Sequence, residues 1–502
     1  MRWRLFLTVW IVYALHATTN VVRETYLALA LAEHGSVRVD EYLGLHPDLF
    51  EIPGRGSYIN SNPGASIVGA IPLFVARPAM AVLFRLKPDL VAPKPSATYD
   101  DPRPNRTEFM NEARARGLDI KLGLAALVTQ VGLMGPMGAL ATLVVFAWFS
   151  ARIPGRRTAL GLALLFAFGT PTFFRAAFLN HNALLAHYTL FAFVLLAGMR
   201  PRRDGELPAF TAVAGSGALL GLGLLTDYSA APLLLVFGVW VLGIGYRRAM
   251  GDAQRSGDGE RARGIVGAIR EGAWFTAAAA VPIVMLLVYQ WWAFGDPWFP
   301  AQRYMPPTEF SVRGWFGFTV PTLDLLVRNL ADPAYGLFTF APVLLAAAVA
   351  PFLRADARFP SRSQQAVIWS ASGALLVFAS ANQFSHLQWN TGIRYMMPAV
   401  PLLFLLAAPA LLRMPVWGRW SLIVATVTVS WVVSMTREAI PRALTQVFVG
   451  GFELPTLTVL HRMASGYAPW LEGDVSPLPL FVLTGVVLWL IWRDVKFDSA
   501  VD

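Results

Sequence analysis

The ionisable residues of this chain are sparse and gathered in short clusters between apolar runs. Arg23 and Glu24 stand side by side in Val22-Arg23-Glu24-Thr25-Tyr26, directly after the first apolar run. Charges at such a depth are costly and often functional. A carboxylate there could take the proton of an attacking hydroxyl, or the two residues form an interfacial ion pair that ends the run. Asp40, in Val37-Arg38-Val39-Asp40-Glu41-Tyr42 with Asp48 and Glu51 beyond, is a second candidate base or metal ligand, or part of a solvated loop. Tyr58, Asn60 and Asn62 precede Pro63-Gly64, a turn expected to cap a following helix. The free N–H groups of that helix start would suit an anion.

Later clusters carry complementary chemistry. His181 lies between Asn180 and Asn182, a combination able to hold a hydroxyl-rich or phosphate group, or to form an ordinary polar turn. Asp227, in Leu225-Thr226-Asp227-Tyr228-Ser229, occupies so short a turn that it stays near membrane level. An acid there needs a partner, with Arg23, Arg303 and Arg394 as candidates. Phe294-Gly295-Asp296-Pro297 leads to Arg303 and Tyr304, and Trp389-Asn390-Thr391-Gly392-Ile393-Arg394-Tyr395 enters an apolar helix. A guanidinium at Arg394 matches a phosphate bidentately, or it snorkels to lipid headgroups. Trp389 and the residues after it suit a sugar surface. No P-loop, zinc-type cluster, Gly-x-Ser-x-Gly or dinucleotide fingerprint occurs. Cysteine is absent, which excludes thiol nucleophiles and thiolate metal sites. No ligand set supports a metal, and no cofactor is expected.

The elements that must position these residues are membrane helices. The chain is 56% hydrophobic and only 14% charged, against about 25% charged for soluble domains. Apolar runs of spanning length fall at 5–22, 121–150, 158–178, 183–199, 209–226, 229–246, 272–293, 336–353, 366–382, 395–412, 419–436 and 477–492. With the N-terminus inside, Arg- and Lys-bearing connections alternate with poorly charged ones, as the positive-inside rule requires. The run Ile67–Leu86 would invert every later cluster if it crossed. It also contains Pro72, Arg77 and Pro78, so an interfacial helix is expected. Tyr26–Glu33 is likewise expected to lie along the membrane surface, and 246–270 to be a flexible linker. The fold class is therefore an all-α polytopic membrane protein of about twelve spans. Its large first outer loop, 23–120, carries interfacial helices, and further outer loops are expected at 294–335 and 437–476. A catalytic module is expected over 1–353 and C-terminal transmembrane helices over 354–502. The net charge of +10 sits in inter-span clusters without a basic, aromatic-interleaved stripe, so no nucleic-acid partner is expected.

The order of these clusters resembles the GT-C superfamily of membrane glycosyltransferases over roughly 5–410, including protein O-mannosyltransferases and lipid A aminoarabinose transferases. In that family an acid stands near the start of the first outer loop, where this chain has Glu24. The common Asp-Glu pair is Arg23-Glu24 here, which leaves Asp40 as a rival. Gly56, Tyr58, Asn60, Ser61, Pro63 and Gly64 look like a variant of the family's loop without its usual Lys. Asn180-His181-Asn182, Leu225 to Ala230, Phe294 to Pro297, Tyr335-Gly336-Leu337 to Ala341-Pro342 and Trp389 to Pro398 are similar to later segments in the same order.

The resemblance implies transfer of a sugar, with inversion, from a polyprenyl-phosphate donor to an envelope glycan, lipid or protein. It implies Glu24 or Asp40 as base, Arg303 and Arg394 as phosphate clamps, His181 as helper and Asp227 as an orienting acid. Ala-, Arg- and Gly-rich composition points to a bacterial inner membrane, with cytoplasmic termini and a periplasmic active face. A multi-pass transporter or lipid flippase, and a non-catalytic GT-C-like protein, are the competing readings.

Overall fold

The computed structural model describes the chain except residues 96–103, 202–205, 257–259, 355, 388–391, 468–474 and 496–502. In an apolar surround the backbone must satisfy its own hydrogen bonds, so almost every element is a helix. The N-terminal part runs through α1 (Arg2–Leu15), α2 (Arg23–His34), a short antiparallel hairpin of β1 (Leu49–Ile52) and β2 (Gly56–Ile59), α3 (Gly64–Leu86) and α4 (Pro104–Ala115). The bundle continues through α5 (Asp119–Thr129), α6 (Gly135–Ser150), α7 (Arg156–Gly169), α8 (Thr172–Arg175), α9 (His181–Ala197), α10 (Phe210–Thr226), α11 (Ala230–Ser256) and α12 (Glu260–Phe294). It ends with α13 (Leu323–Ala331), α14 (Leu337–Phe340), α15 (Arg362–Ala381), α16 (Ala399–Arg413), α17 (Val416–Thr436), α18 (Ile440–Gly450), α19 (Pro455–Tyr467) and α20 (Leu478–Trp492).

The chain is a multi-pass membrane protein. Among the described residues six helical stretches are long and apolar enough to cross a bilayer, or seven if the bent pair α18–α19 counts as one span. The other expected spans fall in shorter apolar helices, such as α9, α10, α16 and α20. α9 and α16 are buried along nearly their whole length and form the centre of the bundle. α20 has no buried residue, although it is apolar on every side, so its natural solvent is lipid. On α12 the exposed Trp274 and Trp291 are ~26 Å apart along the axis at about 1.5 Å per residue. That approaches the ~30 Å hydrocarbon thickness that aromatic belts bracket.

Several expectations change in detail. The first span ends at Leu15 rather than Val22, and the segment after it is tied to the stretch between α8 and α9 by Thr18 N–H donating to the Ala177 carbonyl. The 158–178 run breaks at Pro171, which cannot continue the backbone ladder. The 336–353 run is the short α14 followed by a 3₁₀ segment bounded by prolines, Pro342–Phe352. The expected flexible linker at 246–270 is instead helical on both sides of 257–259. Gly245 packs there against the Gly267 backbone, and Arg248 is bonded to buried Glu271. α2 is covered rather than exposed: Thr25 to Ala30 are buried, with α3 packed over them.

α3 meets the length and composition test for a span, yet both its ends are tethered to one end of the bundle. Asn60 and Asn62, just before it, line the same cavity as Ala115 of α4. The Val91 carbonyl, five residues after it, packs against Gly117. Both ends of α3 therefore lie beside residues that precede α5, as an interfacial helix would place them.

Candidate functional site

The polar clusters converge on a cavity of 2380 Å³ at one end of the bundle. Small-molecule pockets are about 300–1,000 Å³, so this space suits a larger or two-part occupant. One wall is apolar, formed by Ile283, Leu286 and Leu287 of α12 with Phe316, Phe318 and Phe378. The polar wall is assembled from helix ends, where backbone groups left without helical partners attract polar side chains.

Four such ends meet. Arg23 and Glu24 open α2. His181 opens α9, whose N-cap Asn180 accepts the Ala183 N–H at 2.9 Å. Asp227 closes α10, and its Oδ1 accepts the Ser229 N–H at 2.7 Å, an Asx turn that starts α11. Arg394 lies in the turn that precedes α16.

The carboxylates and cations form one connected network. His181 Nδ1 is 2.7 Å from Glu24 Oε1, and Nε2 is 3.4 Å from Asp227 Oδ2. Arg23 donates through Nε to Glu24 at 3.2 Å and through an Nη atom to Asp48 at 2.7 Å. Asn60 Nδ2 donates to Asp48 Oδ1 at 2.6 Å. Burial works against ionisation of Glu24, but the Arg23 charge and the contact from His181 Nδ1 outweigh it and hold the carboxyl well below its ordinary range. Asp48 is also lowered, burial being overcome by Arg23, His46 and Arg394. Burial lowers His46.

Of the residues singled out from sequence, Arg23, Glu24, Asn60, Asn62, His181, Asp227, Arg394 and Tyr395 line this cavity. The two Asn side chains do not cap α3. Asn60 holds Asp48, Asn62 donates to the Leu224 carbonyl at 2.7 Å, and α3 starts after Pro63 without a side-chain cap. Gly64 is pressed against Leu225 and Thr226, where an added Cβ would lie 2.6 Å from the Thr226 hydroxyl oxygen. The expected anion cup at that helix start is therefore filled by α10.

Four other candidates lie away from the cavity wall. Asp40 accepts the Ser57 N–H at 2.6 Å and pairs with Arg38 at 2.7 Å, closing the hairpin loop. Tyr58 and Tyr304 pack on the ring of Phe294, with centroids at 5.7 and 5.2 Å. Arg303 stacks on Phe299 at 3.7 Å. Trp389 lies outside the described residues.

The structure also adds residues. Arg175 of α8 and Arg437, after α17, are buried and line the cavity, flanking the ring of Phe178. Arg437 had the same signature as Arg394, an arginine at the end of an apolar run. Asp48 and Gln290 also line the cavity, and neither had a sequence signal that separated it from other polar residues. Among the described residues one group has metal-ligand proximity, Glu33, His34 and Glu41. Lys121 bonds both of its carboxylates, at 2.8 and 3.2 Å, and already supplies the balancing charge.

No known family model matches the chain, and no curated protein matches it. Among solved structures it is similar to ArnT from Cupriavidus metallidurans in the apo state. The TM-score is 0.45 and the identity 16%, over 97% of this chain and 70% of that one. It is similar also to the structure of that protein bound to undecaprenyl phosphate, with a TM-score of 0.43 and 16% identity over 98% of this chain and 72% of the other.

Proposed function

We propose that this protein is a membrane glycosyltransferase of the GT-C kind, which moves a sugar from a polyprenyl-phosphate carrier to a cell-envelope acceptor on the periplasmic face. The observation that carries the reading is the pairing, in one cavity, of an apolar wall with a polar wall that holds both carboxylates and guanidiniums. The apolar wall suits an isoprenoid chain. Arg394, with Arg175 and Arg437 nearby on the polar wall, suits the departing phosphate, whose growing charge needs fixed cations in a site shielded from water.

The reaction is a single displacement. The acceptor hydroxyl attacks the anomeric carbon, the bond from that carbon to the phosphate oxygen breaks, and the configuration inverts. The acceptor proton passes to the Glu24–His181–Asp227 cluster. The acceptor is a glycan, lipid or protein, and the chain's termini lie in the cytoplasm.

The test is transfer of labelled sugar by the purified protein from a panel of undecaprenyl-phosphate sugars to envelope acceptors. Wild type is expected to transfer, and Arg394→Ala to lose donor affinity by roughly 10- to 100-fold, the worth of a charge-assisted hydrogen bond. Substrate-dependent transport in liposomes without any transfer would replace this reading by a transporter. Binding of the lipid phosphate without transfer would leave a non-catalytic protein.

A further inference from the structure

We propose that Asp227 takes the acceptor proton and passes it to His181, which stores it, while Glu24 acts as a positioning residue for the imidazole ring. This rests on the transferase reading above and moves substrate contact away from the first-loop carboxylate.

Access separates the three groups. The side chain of Glu24 is 3% exposed and that of His181 9%, whereas Asp227 is 18% exposed. A hydroxyl arriving through the cavity therefore meets Asp227 first. Glu24 is also already engaged. Its Oε1 accepts from Arg23 and faces His181 Nδ1 at 2.7 Å. An ionised carboxylate only accepts, so Nδ1 carries a hydrogen, and in the neutral form of the ring Nε2 then holds the lone pair. Held well below its ordinary range by Arg23 and His181, Glu24 is a weak base, because proton transfer favours a base whose affinity lies near the working pH.

The contact between Nε2 and Asp227 Oδ2 is unfinished. The atoms are 3.4 Å apart, and Nε2 is buried with no hydrogen-bond partner. In the neutral ring two acceptors face each other there. A proton added between them turns that opposition into a charge-assisted hydrogen bond. The imidazolium then lies between two carboxylates, Glu24 on one side and Asp227 on the other.

Atoms and charges balance through the step. As the acceptor oxygen bonds to the anomeric carbon, its O–H proton moves to Asp227 Oδ2 and on to His181 Nε2. The electron pair of the broken carbon–oxygen bond leaves with the phosphate, beside Arg394. After product release the imidazolium returns the proton to water in the cavity. The groups that set this balance are Arg23 and Glu24 of α2, His46 and Asp48 of the following loop, and Arg175 of α8. Tyr228, Arg394 and Tyr395 complete the surround.

The test is the pH dependence of kcat/KM for the full-length protein with an undecaprenyl-phosphate sugar, alongside donor binding. Wild type is expected to lose activity on the acid side with a slope of one. Asp227→Asn and His181→Gln each lower kcat by roughly 10²- to 10⁴-fold, with donor affinity kept within about twofold. His181→Gln abolishes the acid limb. Glu24→Gln keeps the limb but moves it to lower pH, because the imidazolium loses one stabilising anion. Added imidazole restores turnover to His181→Gly, which a purely structural histidine would not allow.

Wild-type turnover and an unchanged pH profile in His181→Gln would overturn the assignment and leave the transferase reading standing. Loss of all turnover in Glu24→Gln beside an active Asp227→Asn would do the same. If His181→Gln does not fold, full activity in Asp227→Asn overturns the proposal by itself. A wild type that binds every donor and transfers from none sinks the transferase reading and this assignment together.

Discussion

At the scale of single residues, the polar wall is governed by charges that are costly to leave unpaired in a poorly hydrated site. Asp48 shows how this couples the site to stability. Its carboxyl is lowered in the folded protein by Arg23, His46 and Arg394, which overcome its burial. A lowered carboxyl stabilises the fold fully above its unfolded value of about 3.9, and this contribution fades as pH falls through the folded value. Thermal melts in detergent are therefore expected to show wild type losing stability as pH drops below about 4. Asp48→Asn should be less stable than wild type at neutral pH, with the difference shrinking in acid. A constant difference across pH would remove the electrostatic explanation. Asn62 makes a separate point. Its amide satisfies the Leu224 carbonyl near the α10 end, so Asn62→Ala is expected to cost about 1–3 kcal/mol in chemical or thermal unfolding. Much of this wall was legible as residue types. Glu24, His181, Asp227 and Arg394 stood out because charged or polar groups at the ends of apolar runs are rare. Asp48 did not, because an aspartate in a polar loop looks like any solvated acid until Arg23 and Asn60 are folded against it.

At the scale of elements, close helix packing places those residues. Gly217 and Gly221 of α10 lie four residues apart and face α12. A Cβ added at Gly217 would lie 2.2 Å from the Phe275 carbonyl oxygen, and one at Gly221 2.4 Å from that of Ala279. This is small-residue packing of the kind that lets membrane helices approach closely. Because Asp227 ends α10, a shift of that helix moves the site. Gly221→Val is expected to destabilise the protein by at least about 1–3 kcal/mol and to reduce donor binding along with it. Gly243→Ala, with open space around its Cβ, serves as the control in the same melting assay. Wild-type melting of Gly221→Val would show that α10 and α12 can separate without cost. Sequence periodicity located these helices well, since hydrophobic length is a local property. It misread 246–270 as a linker because glycine and charge look flexible alone, whereas Gly245 against Gly267 and Arg248 on Glu271 make them a helical hairpin.

At the scale of the whole molecule, the prediction is orientation. The chain has no cysteine, so single cysteines report cleanly. Glu108→Cys, beside the cavity, is expected to react with a membrane-impermeant thiol reagent in intact spheroplasts. Gly251→Cys, at the end of α11, is expected to react only after lysis. Lys87→Cys, after α3, should behave like Glu108→Cys if α3 lies at the interface. Protection of Lys87→Cys would instead make α3 a crossing helix and reverse the charge-based topology beyond it.

What the sequence determined by itself was the solvent of each segment: which runs belong in lipid, which connections carry the positive charge, and which polar residues share one side. Those follow from local composition, because transfer to a bilayer depends on about twenty consecutive residues. Only the tertiary structure decided which of the polar residues touch. Asp40, Tyr58, Arg303 and Tyr304 had the right types and side but are drawn into a hairpin closure and aromatic stacks. Arg175, Arg437 and Asp48 joined the cavity instead. Hydrogen bonds and ion pairs act over a few ångströms, and residues from 24 to 437 are brought within that range only when the helices carrying them have packed.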